Sequence, residues 1–256
     1  MKILITGGAN RLAGTLAAEF SQEHDVRLMD SVPVDVKGRI EFVQGSILSP
    51  DDSSQAVRGM DVLIHTGEPP PGLPAEGLER EQQMLDLATR GTHVIFSAGI
   101  AEGIQRFIYA GTLAIFSAYP DDVYISELFK PLPSSEITQM TKYLGELTAR
   151  EFARNYMVTV TCLRLGELVL EEEVRGETPN LMWLELRDAA QAFRCALQKA
   201  THDFVLAHQD NSNNVWWTRR WAIYHICADI PNPKFLINQA SHIGYKPTHN
   251  FQNRPT

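Results

Sequence analysis

Short apolar runs alternate with segments whose apolar residues recur three and four positions apart. This pattern holds for the first two thirds of the chain and predicts strands feeding helices around a parallel α/β sheet. Residues 2–6 read as a buried strand. Residues 12–21 read as a helix with Leu12, Leu16, Ala17 and Phe20 on one face. A second strand covers 26–29 and ends at Asp30, a third covers 40–43, a short helix 50–58 and a fourth strand 61–65. Residues 68–77 hold four prolines and two glycines and form a loop. Between 78 and 103, Leu85, Ala88, Ile95, Ala98 and Glu102 share a helical face, and Gly103 supplies a stop. The segment is expected to be one long helix, although Val94, Ile95 and Phe96 alone would suit a strand. A fifth strand follows at 107–110, a Pro-rich loop at 118–135, a helix at 135–156 and a sixth strand at 158–165.

The later part changes character. Glu171, Glu172 and Glu173 suggest a solvated loop, as do residues 176–180. Residues 187–199 are helical in pattern, and 210–214 are strongly turn-forming. The aromatic group Trp216, Trp217 and Trp221 with Arg219 and Arg220 has two readings: a stacking wall and anion clamp for a sugar or sugar acid, or packing of the small lobe or a subunit contact. The polar tail 248–256 is expected to be poorly ordered. The expected architecture is therefore a doubly wound Rossmann-type α/β domain over 1–166, with helix 187–199 packed on it. Residues 167–186 and 200–256 would form a reduced substrate lobe.

Composition narrows the function classes. The 256 residues are 44% hydrophobic and 21% charged, an ordinary globular balance. Acidic residues outnumber basic ones 31 to 23, for a net charge of −8. No basic block is present, so no nucleic-acid or anionic-membrane partner is expected. No apolar run is long enough for a membrane span, and the first is too short for a leader peptide. Cys162, Cys195 and Cys227 are odd in number and widely spaced. They indicate neither a disulfide framework nor a zinc site and fit a reducing cytoplasm. The eight histidines form no metal motif, and His65, at a strand end, reads as a structural histidine.

Candidate chemistry begins at the first strand–helix turn. Thr6, Gly7, Gly8, Ala9, Asn10, Arg11 and Leu12 follow a strand and open a helix, where backbone amides can face a pyrophosphate. Asp30 ends the second strand, about 20 residues on, where a carboxylate can accept from ribose hydroxyls. That carboxylate would repel a 2′-phosphate, so NAD is favoured over NADP; Arg11 argues the other way.

With these pieces in order, the chain resembles an extended or atypical short-chain dehydrogenase/reductase of the NAD-dependent epimerase/dehydratase family. The resemblance is carried by the loop from Thr6 to Ala9, the run from Asp61 to Gly67, and Arg90–Gly91–Thr92. It extends through Gly103 to Thr112, Lys142–Tyr143–Leu144–Gly145–Glu146, Leu163 to Gly166 and Asp188–Ala189–Ala190. More loosely, the runs Cys162 to Gly166, Trp183 to Asp188 and Ser212 to Asn214 resemble uronate dehydrogenases. The resemblance implies a cofactor site of Gly7, Ala9, Asn10, Arg11, Leu12, Asp30, Ser46, Ile47, Thr66, Gly67, Lys142 and Leu165. It also implies a small sugar-type substrate, hydride transfer at a secondary alcohol, and a homodimer through helices 78–103 and 135–156.

The departures are chemical. Asn10 and Ala13 replace loop glycines, and Ser46 stands where the family has an acidic residue. Glu68 stands where a small residue lines the cofactor. The family's Tyr-x-x-x-Lys places a phenol and an ammonium on one helix face. Here Lys142 is present and the tyrosine position is Thr138, whose hydroxyl does not titrate near neutrality. Thr112 matches the family's Ser/Thr position, with a backbone-capping role as the alternative. Tyr119 and Tyr124, in the long loop, are candidate substitutes for the phenol, whereas Tyr143 points about 100° away from Lys142. Two functions follow: an oxidoreductase of modified mechanism using Thr112, Thr138 and Lys142, or a catalytically lapsed NAD(P)-binding regulator.

Overall fold

A computed structural model describes residues 1–209 and 220–251. The elements in chain order are β1 (Lys2–Thr6), α1 (Arg11–Phe20), β2 (Asp25–Asp30), β3 (Ile40–Gln44), α2 (Pro50–Val57) and β4 (Val62–His65). Next come α3 (Leu78–Asp86), a π-turn (Leu87–Gly91), α4 (Thr92–Glu102), β5 (Arg106–Thr112), a 3-10 turn (Leu113–Phe116), α5 (Ile137–Asn155) and β6 (Thr159–Leu165). The chain continues with β7 (Glu167–Val169), β8 (Trp183–Glu185), α6 (Leu186–Gln209), β9 (Trp221–Ile226) and α7 (Asn238–Ser241). Seven strands form one parallel sheet in the order β3-β2-β1-β4-β5-β6-β9. The order reverses direction beside β1, the switch point at which doubly wound sheets open a crevice at their C-terminal edge.

Both faces of the sheet are covered, so its central strands are continuously apolar rather than alternating. On one face Ile3, Ile5, Ile64, Ile108 and Leu163 pack with Leu12, Leu16 and Phe20 of α1 and Ala189 and Phe193 of α6. On the other, Leu4, Leu63, Phe107 and Tyr109 pack with Ala56 of α2, Ile95 and Phe96 of α4 and Phe152 of α5. Val94–Phe96 is helical. The helix expected over 78–103 is continuous but carries the π-turn, where Gly91 lies against Ile47. Gly103, at φ +94°, ends it as expected.

Several expectations need correction. The region assigned to the small lobe contains β9, which pairs with β6 in the main sheet from Val160–Trp221 to Leu165–Ile226. The short strands β7 and β8, also unforeseen, form a separate parallel pair. The helix expected over 187–199 runs on to Gln209. Trp221 is no stacking wall: it begins β9 and packs against the α5-side core. Arg220 donates to the carbonyls of Tyr156 and Arg154, so it is no free anion clamp. Trp216, Trp217 and Arg219 lie outside the described residues, as do the turn at 210–214 and the tail 252–256. The start of that tail is tied down. Asp188 accepts from the backbone amides of Thr248 and His249, from Thr248 Oγ1 and from His249 Nδ1, at 2.8–3.1 Å. The glutamate run is more than solvated loop: Glu172 pairs with Arg187 and Glu173 with Arg11.

Two buried features fix α5 on the sheet. Glu146 receives Arg164 Nη2 at 2.6 Å and Nε at 3.0 Å, in a bidentate pair whose side chains are 3% and 5% exposed. Gly145 lets the helix approach so closely that a Cβ there would overlap the Tyr109 hydroxyl. Replacing Arg164 by Met would strand the Glu146 carboxylate in the core. Urea unfolding should show a loss of about 3–5 kcal/mol, and a loss below about 1 kcal/mol would show that the carboxylate finds another partner.

His65 and His225 are both fully buried, and burial pushes each imidazole down to about 3, aided by Lys142 and Arg164 respectively. His65 sits between Thr6 Oγ1 (2.7 Å) and Thr92 Oγ1 (3.0 Å), the structural role expected of it. Neither ring nitrogen of His225 makes a hydrogen bond of ordinary geometry among the described residues, although the backbone of Ile125 and Leu236 lies beside the ring; Phe116 and Phe235 pack against it. Between their unfolded and folded pKa values, the unfolded chain binds more protons than the folded one. Stability is therefore retained above the unfolded value near 6.5 and falls with pH through the window down to about 3, by up to ~1.4 kcal/mol per pH unit for each histidine. Calorimetric melting at pH 7, 6 and 5 should show this slope, and His225→Phe should flatten it; an unchanged slope would refute the assignment.

Candidate functional site

The predicted cofactor residues gather at the C-terminal edge of the sheet. Gly7 takes φ +73°, and a Cβ there would overlap Thr66 Oγ1, so the loop after β1 is closed to any side chain at this point. The chain then turns into α1 with Asn10 as N-cap. The Asn10 side chain makes no capping bond: its Nδ2 donates across the groove to the carbonyls of Gly7 (3.4 Å) and Pro69 (3.3 Å). The first turn of α1 holds no acidic residue. By contrast, Ser49 caps α2, whose first turn carries Asp51 and Asp52, and Glu136 caps α5 through two amides. The N-terminal amides of α1 thus keep their partial positive charge for an anion from outside the chain.

Asp30 is buried at the end of β2, and its carboxylate accepts from the amides of Ala9 (3.0 Å) and Val32 (3.2 Å). It therefore ties the phosphate-type loop to the second strand while facing a narrow cleft. Gly7, Ser46, Ile47, His65, Pro70 and Leu87 share that cleft's lining. Ser46 is held there by Asp52, which accepts from its amide at 2.9 Å.

A larger cavity of about 380 Å³ lies on the other side of the loop after β4. Asn10, Arg11 and Leu12 form one wall; Thr112, Thr138, Gln139 and Lys142 form another, and Leu165, Gly166 and Leu168 close the end. The three residues proposed for catalysis are thus brought together. Thr112 Oγ1 also accepts from the Ala114 amide at 3.2 Å, so it combines cavity lining with the capping alternative. Lys142 is mostly buried; its ammonium donates to the Thr66 carbonyl at 3.3 Å and to Glu68 Oε1 at 2.5 Å. Thr66 Oγ1 donates to the Thr6 carbonyl at 3.0 Å, and Gly67 adopts φ +62° to turn the chain.

The tyrosines proposed as substitutes do not reach the cavity. Tyr119 donates to the Lys130 carbonyl at 2.9 Å and packs with Phe116 and Phe129, and Tyr124 is 55% exposed. Tyr143 packs into the cluster around Phe116 and Ile125. Tyr109 donates to the Lys142 backbone carbonyl at 3.4 Å, but it is fully buried and burial pushes its phenol well up. Sequence reasoning missed the Glu68–Lys142 ion pair and the part played by Gln139, whose Oε1 accepts from Ser117 Oγ and the Ser134 amide. The only available signal was Glu68's departure from the small residue expected there. No group of three potential metal ligands occurs, and no helix is long and apolar enough to cross a membrane, among the described residues.

Comparison with known proteins bears on the fold and the family. The NAD-dependent glucose-6-phosphate dehydrogenase of Haloferax volcanii is 23% identical over 231 residues, covering 83% of this chain and 86% of that protein. A uronate dehydrogenase variant from Agrobacterium tumefaciens, solved in complex with NAD, superposes with a TM-score of 0.77. It is 17% identical and covers 98% of this chain and 86% of that one. UDP-glucuronic acid 4-epimerase from Bacillus cereus, in complex with NAD, superposes with a TM-score of 0.71 at 17% identity, covering 98% and 93%. At these identities the structural likenesses show the fold. The family model described as the NAD dependent epimerase/dehydratase family matches residues 3–192. This chain therefore belongs to the NAD-dependent epimerase/dehydratase family.

Proposed function

We propose that the protein is an NAD-dependent oxidoreductase acting at a secondary alcohol of a sugar, sugar acid or nucleotide-sugar. One observation carries the reading: an uncapped helix start, a lysine and two threonines line one cavity, and a buried carboxylate at the end of β2 faces the cleft that adjoins it through Glu68. The left-handed turn at Gly7 leads the chain into the uncapped start of α1, whose amides suit a pyrophosphate. Gly7, Ala9, Asn10, Arg11 and Leu12 would hold the pyrophosphate, and Asp30 the adenosine ribose hydroxyls. Ser46 and Ile47 would flank the adenine, Thr66 and Gly67 would line the middle, and Lys142 and Leu165 the nicotinamide end. Asp30 favours NAD over NADP, because a 2′-phosphate beside a buried carboxylate would be repelled. The bound dinucleotide would supply the hydride acceptor.

The chain's own contribution is binding and orientation. Thr112 and Thr138 would hydrogen-bond the substrate oxygen, and Gln139 and Arg11 stand at the same cavity to meet its polar groups. The sugar-acting relatives support the substrate class. The exposed side chains of Leu78 and Leu85 on α3 support a homodimer through α3–α4 and α5. Three buried free cysteines fit a cytoplasmic location. Thr138 in the tyrosine position favours the second reading, a lapsed NAD-binding regulator.

Calorimetric titration with NAD(H) and NADP(H), followed by nicotinamide absorbance assays on a panel of aldoses, uronates, sugar phosphates and nucleotide-sugars, tests the proposal. NAD should bind tighter than NADP by about tenfold or more, and Asp30→Ala should weaken NAD and erase that preference. Binding without turnover, with turnover appearing in Thr138→Tyr, would establish the lapsed reading. No binding of either dinucleotide would overturn both.

A further inference from the structure

Oxidising an alcohol removes a hydride from carbon and a proton from oxygen, and the site needs a group to take that proton. Thr138 cannot keep it. The cavity lining holds one carboxylate among the described residues, that of Glu68, and Glu68 is also the one residue common to the cavity and the Asp30 cleft. Gly67, at φ +62°, turns the chain to bring residue 68 over the groove. Three consecutive prolines, Pro69, Pro70 and Pro71, follow, and Asn10 Nδ2 holds the first by its carbonyl. The carboxylate is therefore held in place by backbone as well as by its ion pair. Lys142 offers three ammonium hydrogens. One meets the Thr66 carbonyl and one meets Glu68 Oε1, which leaves the third for a ribose hydroxyl. Glu68 Oε2 has no hydrogen-bond partner among the described residues and is free to accept.

We propose that Glu68, positioned by Lys142, is the proton acceptor of this site in place of the absent phenol; the proposal rests on the oxidoreductase reading above. The substrate O–H bond breaks and its proton goes to Glu68 Oε2. The C–H bond on the same carbon would break with its electron pair going to the two-electron hydride acceptor that a bound oxidised dinucleotide would supply, and the C=O bond would form. Glu68, now a carboxylic acid, would return its proton to water through the cavity mouth. A carboxylate here also favours binding of the cationic, oxidised nicotinamide over the neutral, reduced one.

Glu68→Gln keeps the shape and removes the proton acceptor. The variant should bind NAD+ within about threefold of the wild type by calorimetry. Its preference for NAD+ over NADH should fall by about fivefold, and its turnover on the sugar panel should fall about a hundredfold or more. Added formate should restore turnover to Glu68→Ala. Turnover in Glu68→Gln within about threefold of the wild type, or no formate rescue, would overturn the proposal. So would tighter NAD+ binding by Glu68→Gln with turnover retained, which would make the ion pair a plug. Wild-type protein that binds NAD+ but turns over nothing on the panel overturns the proposal and leaves cofactor binding intact. Wild-type protein that binds no dinucleotide overturns the function proposed above, and Glu68's role with it.

Discussion

The buried pair between Arg164 and Glu146 is the constraint on which the geometry of the site depends. Taking both charges out of water is costly, and the cost is offset only when the guanidinium and carboxylate meet in register. Bidentate contact at 2.6 and 3.0 Å meets that demand and leaves α5 no freedom to slide or roll over β6. Lys142 lies one turn before Glu146 on the same helix face. Its ammonium is thereby delivered to the sheet edge, where the ends of β1, β4 and β5 converge. The same turn presents Gly145 to Tyr109, so helix and sheet approach without an intervening side chain. A core interaction with no reactive role thus sets the position of the cationic end of the groove.

At the opposite end the logic is one of omission. α2 and α5 satisfy their first amides with side chains of their own, whereas α1 begins with an asparagine whose side chain bonds elsewhere. α3 also begins without a side-chain cap, but the start of α1 lines the cavity through Asn10, Arg11 and Leu12. Asp30 complements it by accepting from the Ala9 amide, which ties the loop to β2.

Much of this was legible from the chain alone. The alternation of apolar runs and helical stripes located six strands of the main sheet, because strands buried on both faces leave continuous apolar signals. The loop residues, Asp30, Thr112, Thr138 and Lys142 could be placed because strand-end and helix-start positions are local properties. The seventh strand was not legible. Its Trp221–Ile226 segment mixes aromatic, polar and apolar residues, and an edge strand half open to solvent carries no strong period. The π-turn was not legible either: its inserted residue moves the stripe by about 100°, but α3 is short and α4 is apolar nearly all round, so the change of phase does not show. The contact between Glu68 and Lys142 joins residues far apart in the chain, and no spacing rule connects them; only the strangeness of a carboxylate at that position was visible.

The late arrival of β9 has a consequence for how the chain acquires its structure. In a parallel sheet each strand's partner comes from elsewhere in the sequence, and β6 must wait for a segment synthesised well after it. Every residue lining the groove precedes that segment. On the ribosome the groove can therefore assemble while the outer edge of β6 still displays unpaired backbone beside Val160, Cys162 and Leu163. That nascent intermediate is the species most open to edge-to-edge association. Pairing with β9 then moves the open edge outward, onto a strand that mixes polar with apolar residues.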